Sequence, residues 1–220
     1  ASNDEDFKTV ATDFRGNVQY SIMISKLCAY NHRSEFILRV IGDMLKENPA
    51  QQIMILAHNR NLLTYFHDAI KSRNISTVGY YVGGMKEAAL KESESKKVIV
   101  ASYAMAAEGL DIKSLTTLIM ATPKTDIEQS VGRILREKHG NPVVVDIIDE
   151  HDPFKNQWTK RKTFYKKQNY KIIQTSIADY DPDIRFWKHV SCSKTNKKEK
   201  PCPKSDEALL ETCLIKLPKK

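Results

Sequence analysis

Val98-Ile99-Val100-Ala101-Ser102-Tyr103-Ala104-Met105-Ala106-Ala107-Glu108-Gly109-Leu110-Asp111 opens on four consecutive apolar residues and turns polar at Ser102. A short, continuous apolar run is the mark of a strand buried on both faces, as in a parallel sheet. The signature recurs upstream at Ile53-Met54-Ile55-Leu56, inside a strand predicted over Gln52–Ala57, and downstream in Thr117–Met120 and Val143–Ile148. Thr77–Val82 reads as a further strand ending at Gly83-Gly84, where a left-handed turn or a close backbone approach is easy. Between the strands the apolar spacing turns helical. Phe36, Ile37, Val40, Ile41, Met44 and Leu45 share one face of a helix that starts near Ser34 and is stopped by Asn48-Pro49. Leu62, Leu63, Phe66 and Ile70 line a second helix over Asn61–Arg73, and further helices are predicted over Met85–Glu94 and Asp126–Glu137. Strands alternating with helices of this length predict an α/β fold, a mostly parallel central sheet flanked by helices. Sites in such sheets gather outside the carboxyl ends of the strands. Gly83-Gly84, Ser102 and the loop before Asp126 all follow predicted strands.

The last of those loops leads into Gln129-Ser130-Val131-Gly132-Arg133-Ile134-Leu135-Arg136. Residues three apart share a helix face, so Arg133 and Arg136 can aim two guanidinium groups at one anion. Planar, always-charged donors suit phosphate. An alternative for each arginine is an ion pair with Glu128 or Glu137.

A chain of 220 residues can bury one good core with a small appendage. No apolar run reaches the roughly 18 residues of a membrane span, and the acidic opening Ala1-Ser2-Asn3-Asp4-Glu5-Asp6 is unlike a secretory signal; a soluble, intracellular protein is expected. Cys28, Cys192, Cys202 and Cys213 lack C-x-x-C pairing and a histidine cluster, so reduced thiols are expected and no metal site. Net charge is +8 but lopsided: residues 1–150 carry 18 Lys+Arg against 19 Asp+Glu, and residues 151–220 carry 17 against 8. Such asymmetry points to a polyanion, of which nucleic acid is the commonest; a solvated tail is the plainer alternative. Residues 1–32 read as an extended lead-in, with Val18–Met23 ambiguous between strand and helix. Asn156–Gln168, with Trp158, Arg161, Phe164 and Tyr165 among lysines, reads as a basic aromatic helix whose aromatics pack on the core rather than stack on bases. Residues 179–189 read as a turn followed by an aromatic element, and Thr195–Lys204 as disordered.

Four segments in order carry a family resemblance: Gln52–Ala57, Tyr80-Tyr81-Val82-Gly83-Gly84, Ser102–Asp111, and the Q-x-x-G-R-x-x-R pattern of 129–136. Together they resemble motif IV through motif VI of superfamily 2 helicases, in their second RecA-like domain. With Trp158-x-x-Arg161-x-x-x-Phe164-Tyr165, the wording is most similar to helicases of large cytoplasmic DNA viruses, of the poxvirus transcript-release and African swine fever virus type. The resemblance covers roughly residues 50–170. It implies a lead-in or interdomain segment at 1–32, a C-terminal RecA-like domain at 33–173 and a basic, partly disordered extension at 174–220.

The resemblance also implies roles. Arg133 and Arg136 match arginine fingers that stabilise charge on a transferring γ-phosphoryl, and Gln129 matches a position near the phosphates or the attacking water. Gly109 and Asp111 match the pair near the ribose; a loop cap is the alternative for Asp111. Ser102 matches a hydroxyl on nucleic-acid backbone, against a plain strand-end hydroxyl, and Gly83-Gly84 face nucleic acid or form a simple turn. Neither a G-x-x-x-x-G-K-[ST] loop nor an Asp-Glu-x-Asp/His box is present. ATP and Mg²⁺ are therefore expected to be bound mainly by an N-terminal RecA-like domain preceding this sequence. The other partner implied is single-stranded DNA or RNA, and the setting is viral, in host cytoplasm or virion. His58, after a buried strand, reads as structural. A non-enzymatic module that binds nucleic acid through the basic C-terminal region is the principal rival.

Overall fold

The computed structural model describes residues 7–108, 112–128, 131, 142–191 and 212–216. Among these, eight strands form one sheet in the order β2-β3-β1-β4-β5-β8-β6-β7. The first five, β1 (Ile53–Ala57), β2 (Val78–Tyr81), β3 (Val98–Ser102), β4 (Thr117–Met120) and β5 (Val143–Asp146), are parallel. The strands β6 (Lys171–Thr175), β7 (Lys188–Ser191) and β8 (Thr212–Lys216) extend the sheet antiparallel, with β8 inserted between β5 and β6. The sheet thus continues past residue 173.

The apolar runs become strands because both faces are covered. Ile53, Ile55 and Ala57 enter one buried layer and Met54 and Leu56 the opposite one, the period of two that a pleated strand imposes. The first layer is closed by α2 (Asn31–Glu47) and α3 (Arg60–Ser72), which contribute Phe36, Ile37, Val40 and Ile41, and Leu62, Leu63, Phe66 and Ile70. The helix α2 ends at Asn48, whose N–H bonds the Met44 carbonyl at 3.0 Å, and Pro49 cannot continue it. The helix α3 begins where the Asn59 side chain accepts the Asn61 N–H at 2.7 Å. The opposite layer is closed by α5 (Tyr103–Glu108) and α6 (Asp152–Lys167), with Tyr103, Ala106, Trp158 and Tyr165 inward.

Helix α4 (Glu87–Glu94) lies so close to β2 that a Cβ at Gly79 would sit 2.9 Å from the Ser93 Cα. The lead-in departs from its extended reading: Tyr20–Ala29 is a helix, α1. Met23 and Leu27, four residues apart, dock with Ile24 on Phe154, and that packing decides an ambiguous local pattern. None of the described helices is long and apolar enough to cross a membrane.

Candidate functional site at the carboxyl edge of the sheet

Register fixes what shares the edge. Ser102 is level with Ala57, and Tyr81 with Ala101, so Ser102 and the Gly83-Gly84 turn leave neighbouring strands at the same end. Gly84 has φ of +85°, the left-handed region that glycine enters without penalty. A Cβ at Gly83 or Gly84 would meet nothing within 4 Å, so backbone here is open to approach. The Ser102 hydroxyl accepts the Met105 N–H at 3.4 Å, the capping role of a serine before a helix, and stays partly exposed. Gln129, Arg133, Arg136, Gly109 and Asp111 lie outside the described residues. Ile127 and Val131 are described: both are buried in the α5–α6 layer, and the Val131 N–H donates to the Ile127 carbonyl at 2.8 Å.

The chain reaches that segment through the loop after β4, where sheet pairing ends and the backbone is still buried. Ala121 donates its N–H to the Leu56 carbonyl at 2.9 Å. Beyond it, each carbonyl accepts from a side chain. Arg33 Nη1 donates to the Ala121 oxygen at 2.7 Å, and the Tyr103 hydroxyl donates to the Thr122 oxygen. The Tyr20 hydroxyl donates to the Pro123 oxygen at 2.9 Å, and Arg161 Nη1 to the Lys124 oxygen at 3.1 Å. The donors come from α2, α5, α1 and α6 respectively. A buried carbonyl without a partner is costly, so the fold satisfies this stretch from all sides.

Both arginines are fixed in turn by carboxylates, Asp146 at the end of β5 and Asp149 three residues beyond it. Arg33 forks onto Asp149 (Nε 2.6 Å, Nη2 2.8 Å) and Arg161 onto Asp146 (Nε 2.7 Å, Nη2 2.8 Å), the second pair with both side chains fully buried. Burial raises the pKa of the Asp146 carboxyl, while Arg161 pulls it down. Burial also works against the Arg161 charge, but Asp146 more than offsets this and the guanidinium's pKa is raised. The two-point geometry is that of an ionised carboxylate with a guanidinium. Burial raises the pKa of Tyr20 and Tyr103 and so keeps both hydroxyls protonated donors.

His58 borders the loop as a structural residue. Thr122 Oγ1 accepts the His58 backbone N–H at 3.0 Å and lies 2.9 Å from Nδ1, and the ring leans on Tyr103 with centroids 4.6 Å apart. Burial against these neighbours, then the Lys124 charge, lowers its pKa below the usual 6.5. Lys124 in turn lies over the Tyr103 ring at 5.0 Å. Among the described residues no cluster of three or more His, Cys, Asp or Glu is placed to hold a metal.

Trp158 and Tyr165 pack inward, as their spacing predicts, and Phe164 lies partly buried beside them. Arg161, counted among the basic residues of that helix, is fully buried. The signal was present. Phe154, Trp158, Arg161 and Tyr165 fall on one helix face, and an arginine on an apolar stripe requires a buried partner.

Residues 35–138 match the family of the helicase conserved C-terminal domain. A protein of Acanthamoeba polyphaga mimivirus, named as a candidate ATP-dependent RNA helicase, L396, is 38% identical over 164 residues, 72% of this chain and 31% of its own length. One of African swine fever virus with the same description, QP509L, is 31% identical over 154 residues, 64% of this chain and 30% of its own length. The expected resemblance to African swine fever virus helicases is met, and the mimivirus protein is more similar still. The crystal structure of T4 UvsW matches 74% of this chain and 36% of its own with a TM-score of 0.51 at 17% identity, a likeness of fold. This chain thus spans about three-tenths of the length of these curated relatives.

Proposed function

We propose that this chain, whose residues 35–138 match the helicase conserved C-terminal domain, belongs to a superfamily 2 helicase and is the catalytic complement of an ATP-binding domain earlier in the same polypeptide. In this reading residues 33–173 are the second RecA-like domain, residues 1–32 the connection to the first, and residues 174–220 a basic extension. Arg133 and Arg136 enter the cleft between the domains and stabilise the equatorial oxygens of the transferring phosphoryl, a task worth about 10³–10⁵ in rate. Gln129 orients the attacking water or a phosphate, and Gly109 and Asp111 face the ribose. ATP and Mg²⁺ are held by the preceding domain.

Ser102 and the open Gly83-Gly84 backbone contact the phosphates of a single strand, with hydroxyl and N–H groups as donors. The relatives' names make RNA the first strand to try, and work in viral transcription or replication in host cytoplasm is the setting this reading adopts. One observation carries the reading: inside the matched helicase domain, Q-x-x-G-R-x-x-R follows directly on a buried loop at the carboxyl edge of the parallel sheet.

The test is strand-stimulated ATPase of the full-length protein. Arg133→Ala or Arg136→Ala should lower turnover by about 10³-fold or more while single-strand binding is retained; unchanged turnover would overturn the reading. This chain alone should hydrolyse ATP negligibly.

A second reading has its own support in the basic 151–220 region, where α6 presents Lys160, Lys166 and Lys167 to solvent. There the helicase domain is a scaffold and the C-terminal region binds nucleic acid. If strand affinity follows residues 151–220 when they are exchanged, and Arg133→Ala is silent, this second reading replaces the first.

A further inference from the structure

We infer that Tyr20, Arg33, Tyr103 and Arg161 are positioning residues that set where the 129–136 segment meets a bound nucleotide. The inference rests on the proposed role of Arg133 and Arg136 and adds residues to it that lie far apart in the sequence. Their four donors take four consecutive carbonyls, Ala121 to Lys124. Consecutive carbonyls of a non-helical loop point in different directions, so one helix cannot serve them all. Here a residue from each of four helices does so, and the loop cannot slide or rotate without breaking several bonds together.

The remaining contacts fix the donors. Gln157 Nε2 donates to the Tyr20 oxygen at 3.1 Å, which leaves the tyrosine proton for Pro123. Asp149 and Asp146 orient the two guanidinium groups. Past the loop, Ile127 and Val131 are buried in the core and joined by the bond from the Val131 N–H to the Ile127 carbonyl. A displacement of about 1 Å in a positioned group can cost on the order of 100-fold in rate, which gives a clamp remote from the chemistry a measurable effect on turnover.

Tyr20 also lies on α1, in the segment that would connect to a preceding RecA-like domain. Movement of that connection therefore pulls on Pro123 directly.

The test removes hydroxyls and little else. Tyr20→Phe, Tyr103→Phe and the double variant are made in the full-length protein, with Arg133→Ala as the reference for the arginine role. A matched control is Tyr65→Phe, which loses a hydroxyl bond to Glu35 on α2, a partner outside the loop. The expected result is a fall in kcat of about tenfold for each loop variant and more for the double. KM for ATP and single-strand affinity should stay within about twofold, and Tyr65→Phe should leave kcat unchanged.

Unchanged kcat in the loop variants, with Arg133→Ala inactive, overturns the inference and spares the helicase reading. A fall in kcat matched by loss of strand binding, or shared by Tyr65→Phe, also overturns it, because a general structural defect would do the same. If Arg133→Ala is silent, the reading falls and takes the inference with it.

Discussion

The loop after β4 and the turn after β2 leave the same edge of one sheet, and they are built in opposite ways. From Ala121 to Lys124 every carbonyl accepts from a side chain and the backbone is largely buried. At Gly83-Gly84 an added carbon would meet nothing within 4 Å. The first arrangement suits a part whose position must not vary, the second a surface that something outside the chain approaches. A helicase domain, as proposed, needs both: fixed cations toward the nucleotide and accessible backbone toward a strand that passes through.

The sharpest way to break this contrast is Arg161→Ala. It removes a fully buried partner of Asp146 and the donor to Lys124, so the chain should lose about 3–5 kcal/mol in urea unfolding. A loss below about 1 kcal/mol would mean that water or another donor replaces the guanidinium, and the loop is less constrained than its contacts imply.

Next comes Gly79→Ala, where the new Cβ would collide with Ser93 backbone. A loss of about 1–3 kcal/mol is expected in the same assay, since α4 must shift away from β2. The turn itself should be tolerant. Gly84→Ala should cost about 1 kcal/mol through its positive φ, whereas Gly83→Ala should fall within about 0.5 kcal/mol. Equal costs at the two glycines would show that the turn is held by more than its backbone angle.

The smallest effect is a slope. The folded state lowers the His58 pKa, so the unfolded chain takes up its proton first as pH falls through about 6.5. His58 therefore contributes stability that is complete above that pH and lost as pH falls through the lower folded value. His58→Gln should flatten the decline of stability between neutral pH and the folded pKa. The change should be modest, because His58 keeps part of its surface in solvent while its ring packs on Tyr103. An unaltered slope would show that burial and the Lys124 charge do not hold the ring neutral.

How much could be read in advance differs along the same lines. The parallel strands were legible within a residue or two because a strand buried on both faces has to be apolar throughout, as Ile53–Leu56 and Val98–Ala101 are. The Gly83-Gly84 turn was legible from its glycines. The clamp was not. Tyr20, Arg33 and Arg161 are ordinary as local sequence, and their partners lie 103, 88 and 37 positions away. Only Arg161 left a local trace, an arginine in an apolar stripe. The strands β6 and β8 escaped because they lie in the charged C-terminal region, where composition suggested a tail while pairing to a formed sheet edge decides the structure.

The place of β8 has a consequence for how the chain is made. It is the last described strand in sequence, yet in the sheet it lies between β5 and β6. During synthesis β1 to β5 can associate as they leave the ribosome, and β6 and β7 can form a hairpin beside them. The two pieces join only when Thr212–Lys216 arrives to fill the gap. Until then β5 offers an unpaired edge to any neighbouring nascent chain, a recognised route to aggregation. A delay in the emergence of Thr212–Lys216 from the ribosome would prolong that hazard. Yield in the cell is then governed by how quickly five residues near the end of this sequence follow the rest.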